Sequence, residues 1–484
     1  MKDFPGANGL VLNERLLWEK GKPGRCGMSL PEADVDPVPM DENLVGEIPD
    51  WPGLSEVEVV RHFTRLSQWN YGVDSGMYPL GSCTMKYNPK INDQIAALNG
   101  FAHAHPLLPA LLSQGALRLM HELGLLLAEI TGMDAVSLQP AAGAQGELAG
   151  MLILFAYHRS MGKPRKKIIV PDTAHGTNPA SAALCGFKPV GVKSGPLGIL
   201  TPEAIAQIMD EDTAGIMVTN PNTLGLFEEH IQDISEIVHG NGGLVYCDGA
   251  NMNALMGRGH VGKMGVDVLH LNLHKTFSTP HGGGGPGAGP ICVTQSLERF
   301  LPVPRVVKDG DRYSLSTDYP DSIGRLHGFY GSFAVMVKAY AYILSMGPLL
   351  KQASNLAVLN ANYVKARLKG VLDIAYDRPC MHECVFSDKL QRSSKVTTLD
   401  IAKRLIDYGF HPPTIYFPLV VSGAIMVEPT ETESKEEIDL FIEAIKSIVK
   451  EAEEDPEKLK QAPRRTKVRR LDETSAARNP CLTG

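Results

Sequence analysis

Apolar segments of strand length alternate with helical stretches through the middle of the chain. Residues 167–170, 215–219 and 244–247 are short apolar runs, each followed by a turn rich in glycine, proline, aspartate or asparagine. Residues 116–130 form a predicted helix, and a second helical apolar face begins at Leu148. We interpret this part of the chain as an α/β fold.

The pattern is different at both ends of the chain. Residues 1 to about 75 carry many prolines and no sustained periodicity, so they are predicted to lie as an arm over another surface. Beyond residue 322 the predicted helices are 331–344, 355–368 and one that starts at a Ser434 and Glu437 capping box, and the predicted strands are 384–386 and 424–427. Four regions result, which are an arm (1–75), a large α/β domain (76–322), a small α+β domain (323–452) and a tail (453–484).

Lys275 follows an apolar run within the sequence VDVLHLNLHKTFSTPHGGGGPGAGPI, residues 266–291. The run has the composition of a buried strand, so the lysine is predicted at the strand's end. A lysine withdrawn from solvent there gains neutral, nucleophilic character and can bond covalently to a carbonyl carbon. The following glycines have no side chains to block a ligand, and they are predicted to form one wall of a pocket. The alternative is a lysine whose ammonium reaches water beside an ordinary turn.

Asp248 closes the preceding predicted strand, 27 positions before Lys275. A pyridoxal phosphate (PLP) enzyme needs such a pair, because the aspartate pairs with the pyridinium nitrogen and the lysine holds the aldehyde carbon. A third element, residues 139–146, places small residues between a predicted strand and a helix start. Unpaired backbone N–H groups at such a helix start can hold a phosphate, so we assign Gly143 and Ala144 to the cofactor phosphate.

Several long stretches resemble the signatures of one family. They are YPLGSCTMKYNPK, QPAAGAQGELAG, DTAHGTNPASA, TNPNTLGLFE, YCDGANMNAL, HLNLHKTFSTPHGGGGPG and IMVEPTETESK. On these motifs the chain is similar to the glycine dehydrogenase (decarboxylating) P-protein family of the glycine cleavage system, and more narrowly to subunit 2 of its two-subunit bacterial form. The resemblance extends from about residue 70 to about residue 440.

The resemblance implies a fold-type-I, aspartate aminotransferase-like PLP fold and a set of cofactor contacts. His175 is expected to stack on the pyridine ring, Ala250 to pack beneath it, and Asn220 to bond the phenolic oxygen, although Asn222 remained an alternative. His274 and Thr276, beside the lysine, complete the expected cofactor set. His175 or Lys275 is expected to move the proton during catalysis, and the residues do not decide between them.

Three further residues are predicted near the substrate. Thr84 and Lys86 lie in a loop that, by resemblance, belongs to the substrate entrance, where they would meet the glycine carboxylate or the phosphate. Arg325 lies in a Ser-Ile-Gly-Arg stretch similar to a family motif and is a carboxylate-binding candidate. An ordinary solvated loop and a surface arginine are the alternatives for these three residues.

The implied reaction is decarboxylation of glycine with transfer of its aminomethyl group to the lipoyl arm of H-protein. The implied partner is a homologous glycine dehydrogenase subunit 1, in a heterotetramer of two copies of each chain. One rival is another fold-type-I activity, such as an aminotransferase or a cysteine desulfurase. A second rival is a scaffolding subunit with a degenerate site, against which the intact Asp248, His274 and Lys275 argue.

Composition and charge argue against several kinds of partner, metal site and cellular location. A net charge of -7 and a pI near 6.1 argue against a nucleic-acid partner. The eight cysteines lack the spacing of a secreted disulfide framework, and Cys380, His382 and Cys384 have no second pair to complete a zinc site, so no metal is predicted. Without a signal-peptide pattern or an apolar run of membrane-spanning length, the sequence predicts a soluble, cytoplasmic protein with no membrane contact.

Overall fold

A computed structural model describes residues 14–47, 51–282, 287–466 and 468–481. Its centre is a seven-stranded sheet with the strand order β1-β7-β6-β5-β4-β2-β3. The seven strands are β1 (Ala135–Ser137), β2 (Lys167–Pro171), β3 (Lys188–Val192), β4 (Thr213–Thr219), β5 (Leu244–Gly249), β6 (Val268–Leu271) and β7 (Ile291–Val293).

Six strands of this sheet run in one direction, and β7 runs against them between β1 and β6. Every residue of β4, β5 and β6 is buried, because helices cover both faces of a parallel sheet and leave no solvated side for polar residues. The register pairs Thr219 with Asp248 and Asp248 with His270. The carboxyl ends of β4, β5 and β6 therefore meet at one edge of the sheet.

Ten α-helices lie between residues 56 and 346, counted over the described residues. They are α1 (Glu56–Ser67), α2 (Lys90–Ala96), α3 (Asn99–Ala102), α4 (Gln114–Thr131), α5 (Gly143–Ser160), α6 (Thr177–Leu184), α7 (Pro202–Ile208), α8 (Ile231–Gly240), α9 (Leu273–Thr276) and α10 (Phe333–Met346). Helix α4 ends at Gly132, whose φ of 71° is the left-handed conformation that glycine adopts without steric cost. A hairpin of β8 (Arg305–Asp309) and β9 (Arg312–Ser316) lies against α4.

A second, antiparallel sheet has the order β10-β11-β13-β12 and its own apolar core. Its strands are β10 (Asp373–Ile374), β11 (Cys384–Ser387), β12 (Thr414–Ile415) and β13 (Ala424–Val427), and the nearby helices are α11 (Leu350–Leu368), α12 (Thr398–Asp407), α13 (Lys435–Glu454), α14 (Pro456–Lys460) and α15 (Glu473–Arg478). Ser434 caps α13 by accepting a hydrogen bond from the backbone N–H of Glu437, at the predicted start. The predicted α/β class with a smaller α+β part is confirmed.

Two features complicate a simple division into domains. The buried residues of α10 belong to the core of the large sheet, whereas Met77, before the large sheet begins, packs into the core of the small one. Leu80 also forms a β-bridge with Val427 of β13. The loop around residue 80 therefore joins the two sheets, and the four-region division remains a prediction.

Residues Phe333–Leu368 have the length and apolarity to cross a membrane. They comprise α10, a turn at Gly347 and α11, and the apolar side chains of α10 are at most 5% exposed where they enter the core. Val335, Met336 and Val337 of α10 are all buried there. Such apolarity is that of a core helix.

Candidate active site

Lys275 lies in the short helix α9, four residues beyond the end of β6. The prediction of a strand-terminal lysine was therefore wrong in detail, because the strand ends at Leu271 and the chain turns helical at Leu273. The side chain is half-buried, and its Nζ donates a hydrogen bond to the carbonyl oxygen of Ser82 at 2.8 Å. Three of the six glycines in the wall predicted after the lysine, at positions 283–285, lie outside the described residues.

Asp248 lies in β5 at the same edge of the sheet, one residue before the strand ends. Its carboxylate Oδ1 accepts a hydrogen bond from the backbone N–H of Ala250 at 2.9 Å and lies 3.3 Å from Nε2 of His270. The other ring nitrogen, Nδ1 of His270, is 2.6 Å from the hydroxyl of Tyr246. Burial lowers the pKa of His270, so the carboxylate faces a neutral imidazole in the sheet interior. Both contacts, with Ala250 and with His270, are made by Oδ1 of Asp248.

Glu147 connects Asp248 to His175. Its carboxylate accepts hydrogen bonds from the hydroxyl of Thr177 at 2.8 Å and from Ser181 at 3.3 Å. Burial and the nearby Asp248 charge raise the pKa of Glu147 to about 7. Nδ1 of His175 is 2.8 Å from the Thr177 hydroxyl, and its ring packs edge-on to a phenylalanine 5.7 Å away. Glu147 was not among the residues predicted from the sequence, although it lies within the QPAAGAQGELAG motif.

Asn178 bridges the carboxylates of Glu147 and Asp248. With its amide oriented to donate, Nδ2 lies 3.0 Å from Oε2 of Glu147 and 3.3 Å from Oδ2 of Asp248. The side chain is 0% exposed. The side chain of His175 is exposed. The surrounding protein nevertheless lowers the pKa of His175. The charge of Asp248 raises this pKa, whereas the charge of Lys275 lowers it further. The imidazole is therefore neutral and accessible near pH 7.

The start of α5 lies close to the lysine-bearing segment. The helix begins at Gly143, and the N–H groups of its first turn have no partner within the helix. A Cβ at Gly143 would lie 2.6 Å from Oδ1 of Asn272, so any larger residue would displace the Asn272 side chain. Ala144 is exposed, whereas Thr276 is buried. The structure therefore brings the predicted phosphate turn to the segment that carries Lys275.

The two candidate asparagines after β4 differ in their hydrogen bonds. Nδ2 of Asn222 donates to the carbonyl of Gly198 and to Glu228, and its Oδ1 accepts from two backbone N–H groups of its own loop. Asn220 accepts one bond at Oδ1, from the N–H of Glu228, and its buried Nδ2 has no partner among the described residues. Only Asn220 of the two retains an amide N–H for a ligand.

The substrate-loop predictions have different outcomes. Lys86 is fully buried, and its Nζ contacts Glu431 at 2.6 Å, Asn253 at 2.9 Å and Tyr342 at 3.3 Å. These three acceptors use all three N–H donors of the ammonium, so this geometry favours a structural ion pair over a ligand contact. Thr84 lies in the same loop, and its backbone N–H donates to Glu428.

Arg325 lies at the surface, and its guanidinium contacts the carbonyl of Gly328 at 3.5 Å. His274, by contrast, is half-buried beside Lys275, where its Nδ1 accepts from the N–H of Ala288 at 3.4 Å. Burial and the neighbouring His281 ring, 5.2 Å away, lower the pKa of His274 to about 3. It is therefore a neutral group in the pocket wall.

Buried polar atoms with no partner among the described residues collect around this site. They are the hydroxyls of Thr219, Thr276, Ser278 and Thr279, Nδ2 of Asn220, Oδ1 of Asn272 and Nε2 of His281. A buried polar group without a partner costs free energy unless a ligand or water satisfies it. Hydroxyl and amide groups of this kind can form hydrogen bonds with the phosphate and the phenolic oxygen of PLP. The residues present therefore fit this cofactor.

Two family models match the chain. The model described as "Glycine cleavage system P-protein" matches residues 36–312, and the model described as "Glycine dehydrogenase, C-terminal domain" matches residues 353–468. A probable glycine dehydrogenase (decarboxylating) subunit 2 from Caldanaerobacter subterraneus subsp. tengcongensis is 58% identical over 474 residues, which cover 96% of this chain and 98% of that protein. The protein of the same name from Halalkalibacterium halodurans is 56% identical over 477 residues, or 97% and 98% of the two chains.

Solved structures show the same fold at low identity. An inhibitor-bound glycine decarboxylase (P-protein) of the glycine cleavage system has a TM-score of 0.72 at 20% identity, over 84% of this chain and 93% of that chain. A NifS-like protein has a TM-score of 0.61 at 15% identity, over 78% of this chain and 99% of that chain. Together with an aspartate aminotransferase of TM-score 0.58, these structures confirm the predicted fold-type-I architecture.

Proposed function

The chain belongs to the glycine dehydrogenase (decarboxylating) subunit 2 family of glycine cleavage system P-proteins, and from this premise we propose that it decarboxylates glycine with PLP and transfers the aminomethyl group to the lipoyl arm of H-protein. The observation that carries the proposal is the position of Lys275 and Asp248 at one sheet edge, where neighbouring strands β6 and β5 end. Ligands of open α/β sheets bind outside the carboxyl ends of the strands.

We assign the cofactor contacts as follows. Lys275 would hold the aldehyde carbon, Asp248 the ring nitrogen, and the first turn of α5, at Gly143 and Ala144, the phosphate. Asn220 would donate its unpartnered Nδ2 to the phenolic oxygen. Thr276, His274, His175 and Ala250 would complete the pocket, with Thr276 offering its unpartnered hydroxyl to the phosphate and the exposed His175 ring lying against the pyridine face.

Bound PLP supplies a ring that accepts the electron pair released when the glycine carboxylate leaves as CO2. The Asp248 carboxylate would support this role by keeping a proton on the ring nitrogen, and Asn178 would fix the orientation of this carboxylate through Oδ2. Thr177 contacts Nδ1 of His175 with both its hydroxyl and its N–H. Nε2 of His175 is then the imidazole atom available to move a proton, alongside Nζ of Lys275.

Glycine would enter past the loop that contains Thr84, which remains a proposed substrate residue together with Arg325. The entrance must also admit a lipoyl arm carried by a second protein, so an accessible imidazole such as His175 is expected on its path. The ion pair of Lys86 makes this lysine the weakest of the three substrate candidates. Its proposed role is to anchor the entrance loop to Glu431.

A partner subunit would cover the N-terminal region. Among the described residues before α1, Trp18, Leu30, Val38, Met40, Leu44 and Trp51 are each at least 62% exposed. Apolar side chains exposed in such number mark a surface that binds another protein. We propose glycine dehydrogenase subunit 1 as this protein, in a heterotetramer of two copies of each chain. We also propose a cytoplasmic location for the assembly.

Exchange of labelled bicarbonate into glycine tests the activity. We expect exchange when the chain is mixed with subunit 1 and lipoylated H-protein, no exchange with Lys275→Ala, and poor turnover by the isolated chain. An aminotransferase or a desulfurase would not catalyse this exchange, so its absence from the complete mixture would contradict the proposal. Full H-protein-dependent decarboxylation by the isolated chain would contradict the two-subunit assembly.

A further inference from the structure

The carbonyl that binds Lys275 belongs to a strained loop. Ser82 has a φ of 64° and Thr84 a φ of 49°, and both are non-glycine residues in the left-handed region. This region is disfavoured for such residues, so surrounding contacts must hold the loop in place. The strain lies on both sides of Cys83, next to the carbonyl oxygen of Ser82 that accepts from Lys275.

Two buried carboxylates supply those contacts. Oε2 of Glu383 accepts a hydrogen bond from the backbone N–H of Ser82 at 2.7 Å, and Oε2 of Glu428 accepts from the backbone N–H of Thr84 at 2.8 Å. Both glutamates are 0% exposed. The loop is thus held at each of its strained residues by a carboxylate from the small sheet.

The pairing of the small sheet explains why these two acids lie together. Cys384, the first residue of β11, is paired with Val427, the last residue of the antiparallel strand β13. Glu383 immediately precedes the first and Glu428 immediately follows the second, so the next position of the ladder brings the two acids side by side. One carboxylate oxygen from each acid and one ring nitrogen of His382 all lie within 4.8 Å of one another.

Two negative charges at this separation in the protein interior would repel each other. Oε1 of each acid and both ring nitrogens of His382 have no hydrogen-bond partner among the described residues. Burial raises the pKa of Glu428 to about 7, and burial together with the Glu428 charge raises the pKa of Glu383 well above its ordinary value, whereas burial lowers the pKa of His382 to about 3. The other titratable groups that face the pair are Lys275, Cys83 of the loop, Cys380 before β11 and Glu431 after β13.

We propose that Glu383 and Glu428 share one proton and act as positioning residues for Lys275, by holding the Ser82 carbonyl oxygen where the free lysine amine binds it. The inference rests on the proposed function, because it concerns the amine that would react with PLP. With one proton, the pair has a single negative charge opposite the Lys275 ammonium, and both loop N–H groups keep their acceptors. When both acids ionise, their repulsion loosens the loop and the amine loses its fixed position.

The test measures how fast the cofactor-free chain binds added PLP, from the appearance of visible absorbance, with borohydride trapping to locate the bond. Glu383→Ala removes the acceptor for Ser82, and we expect binding at least roughly tenfold slower than in the wild type, as for loss of a hydrogen bond to a charged group. Glu383→Gln keeps an acceptor and places an amide N–H where the shared proton lies, so we expect a rate near that of the wild type.

The dependence on pH separates positioning from a merely structural role. The ratio of the wild-type rate to the Glu383→Gln rate should fall as pH rises through about 7, because both acids ionise only in the wild type. Taking the ratio cancels deprotonation of the lysine itself. The matched control is Asp388→Ala, which removes another buried carboxylate of the same sheet region that accepts a backbone N–H, from Thr398, and we expect it to keep the wild-type rate.

The outcomes distinguish the inference from the function on which it rests. If the wild type forms no trappable bond at Lys275, the proposed function fails. If it does, and Glu383→Ala binds PLP at the wild-type rate or the ratio stays constant with pH, the inference is wrong. A slow Glu383→Ala variant, a fast Glu383→Gln variant and a ratio of wild-type to Glu383→Gln rate that falls as pH rises through about 7 would establish it.

Discussion

The carboxylate of Asp248 lies 3.3 Å from Nε2 of His270 on the adjacent strand, and both side chains are buried. The pair presents a fixed negative charge at the edge where PLP is proposed to bind. Asp248→Asn should weaken PLP binding at least roughly a hundredfold, because it removes one partner of the buried ion pair proposed between Asp248 and the pyridinium nitrogen, a loss that typically costs about 3 kcal/mol or more. Equilibrium dialysis against PLP measures this loss.

Asp267 provides the matched control for this variant. It lies one residue before β6, at the opposite end of the strand from the site, and its Oδ2 is 2.8 Å from Nε2 of His239. Asp267→Asn therefore also removes a carboxylate paired with a histidine, but at the far edge of the sheet. PLP affinity should be unchanged by this variant. Equal losses in both variants would mean that Asp248 has no specific role at the cofactor.

Asn220 and Asn222 should separate cofactor binding from stability. Asn220→Ala removes the unpartnered Nδ2, and we expect roughly tenfold weaker PLP binding together with a shifted absorption spectrum. Asn222→Ala removes four hydrogen bonds that hold its loop, so the main effect should be a lower melting temperature. Measurement of both properties in both variants tests the assignment. A spectral shift in Asn222→Ala alone would reverse it.

Glu228 should make stability fall with increasing pH. Burial raises its pKa to about 7 from an ordinary value of 4.5. Because the folded-state pKa is the higher one, its stabilising contribution is complete below pH 4.5 and is lost as pH rises through about 7, by on the order of 3 kcal/mol. Denaturant unfolding at several pH values should show this slope in the wild type. Glu228→Gln should reduce the slope, whereas Glu229→Gln, at an exposed neighbouring acid, should retain it.

Lys86 should contribute to stability more than to ligand binding. Lys86→Met leaves the Glu431 carboxylate without its buried cation, and we expect a loss of about 3 to 5 kcal/mol in the free energy of unfolding. Adding Glu431→Gln should recover part of this loss, since the unpaired charge is then removed. Unfolding curves and PLP affinity of the single and double variants provide the check. Wild-type stability with lost PLP affinity would contradict this role and make Lys86 a ligand-binding residue.

The parts of the site that local sequence could predict are those set by one strand and its following turn. Asp248, Lys275 and the turn at Gly143 were identified because each follows an apolar run. The contacts of Glu383 and Glu428 were not, since they depend on residues about 300 and 344 positions away in the chain. The ion pair of Lys86 could not be predicted for the same reason, because its partner Glu431 is 345 positions distant.

Local geometry at the end of β6 was the other point that the sequence did not determine. The apolar run continues to Leu273, yet pairing in the sheet stops at Leu271, and α9 begins where the chain leaves the ladder. A short apolar run cannot distinguish a strand from the start of a buried helical turn by periodicity alone. The predicted position of Lys275 at the sheet edge was nevertheless close to the observed one.

Reduction with borohydride after addition of PLP, followed by peptide mapping, tests the central assignment most directly. We expect a single stable pyridoxyl group on the peptide that contains Lys275, with loss of the visible absorbance on reduction and no such group in Lys275→Ala. A chain that takes up no pyridoxyl group, or one that carries it on another lysine such as Lys86, would contradict the assignment of Lys275.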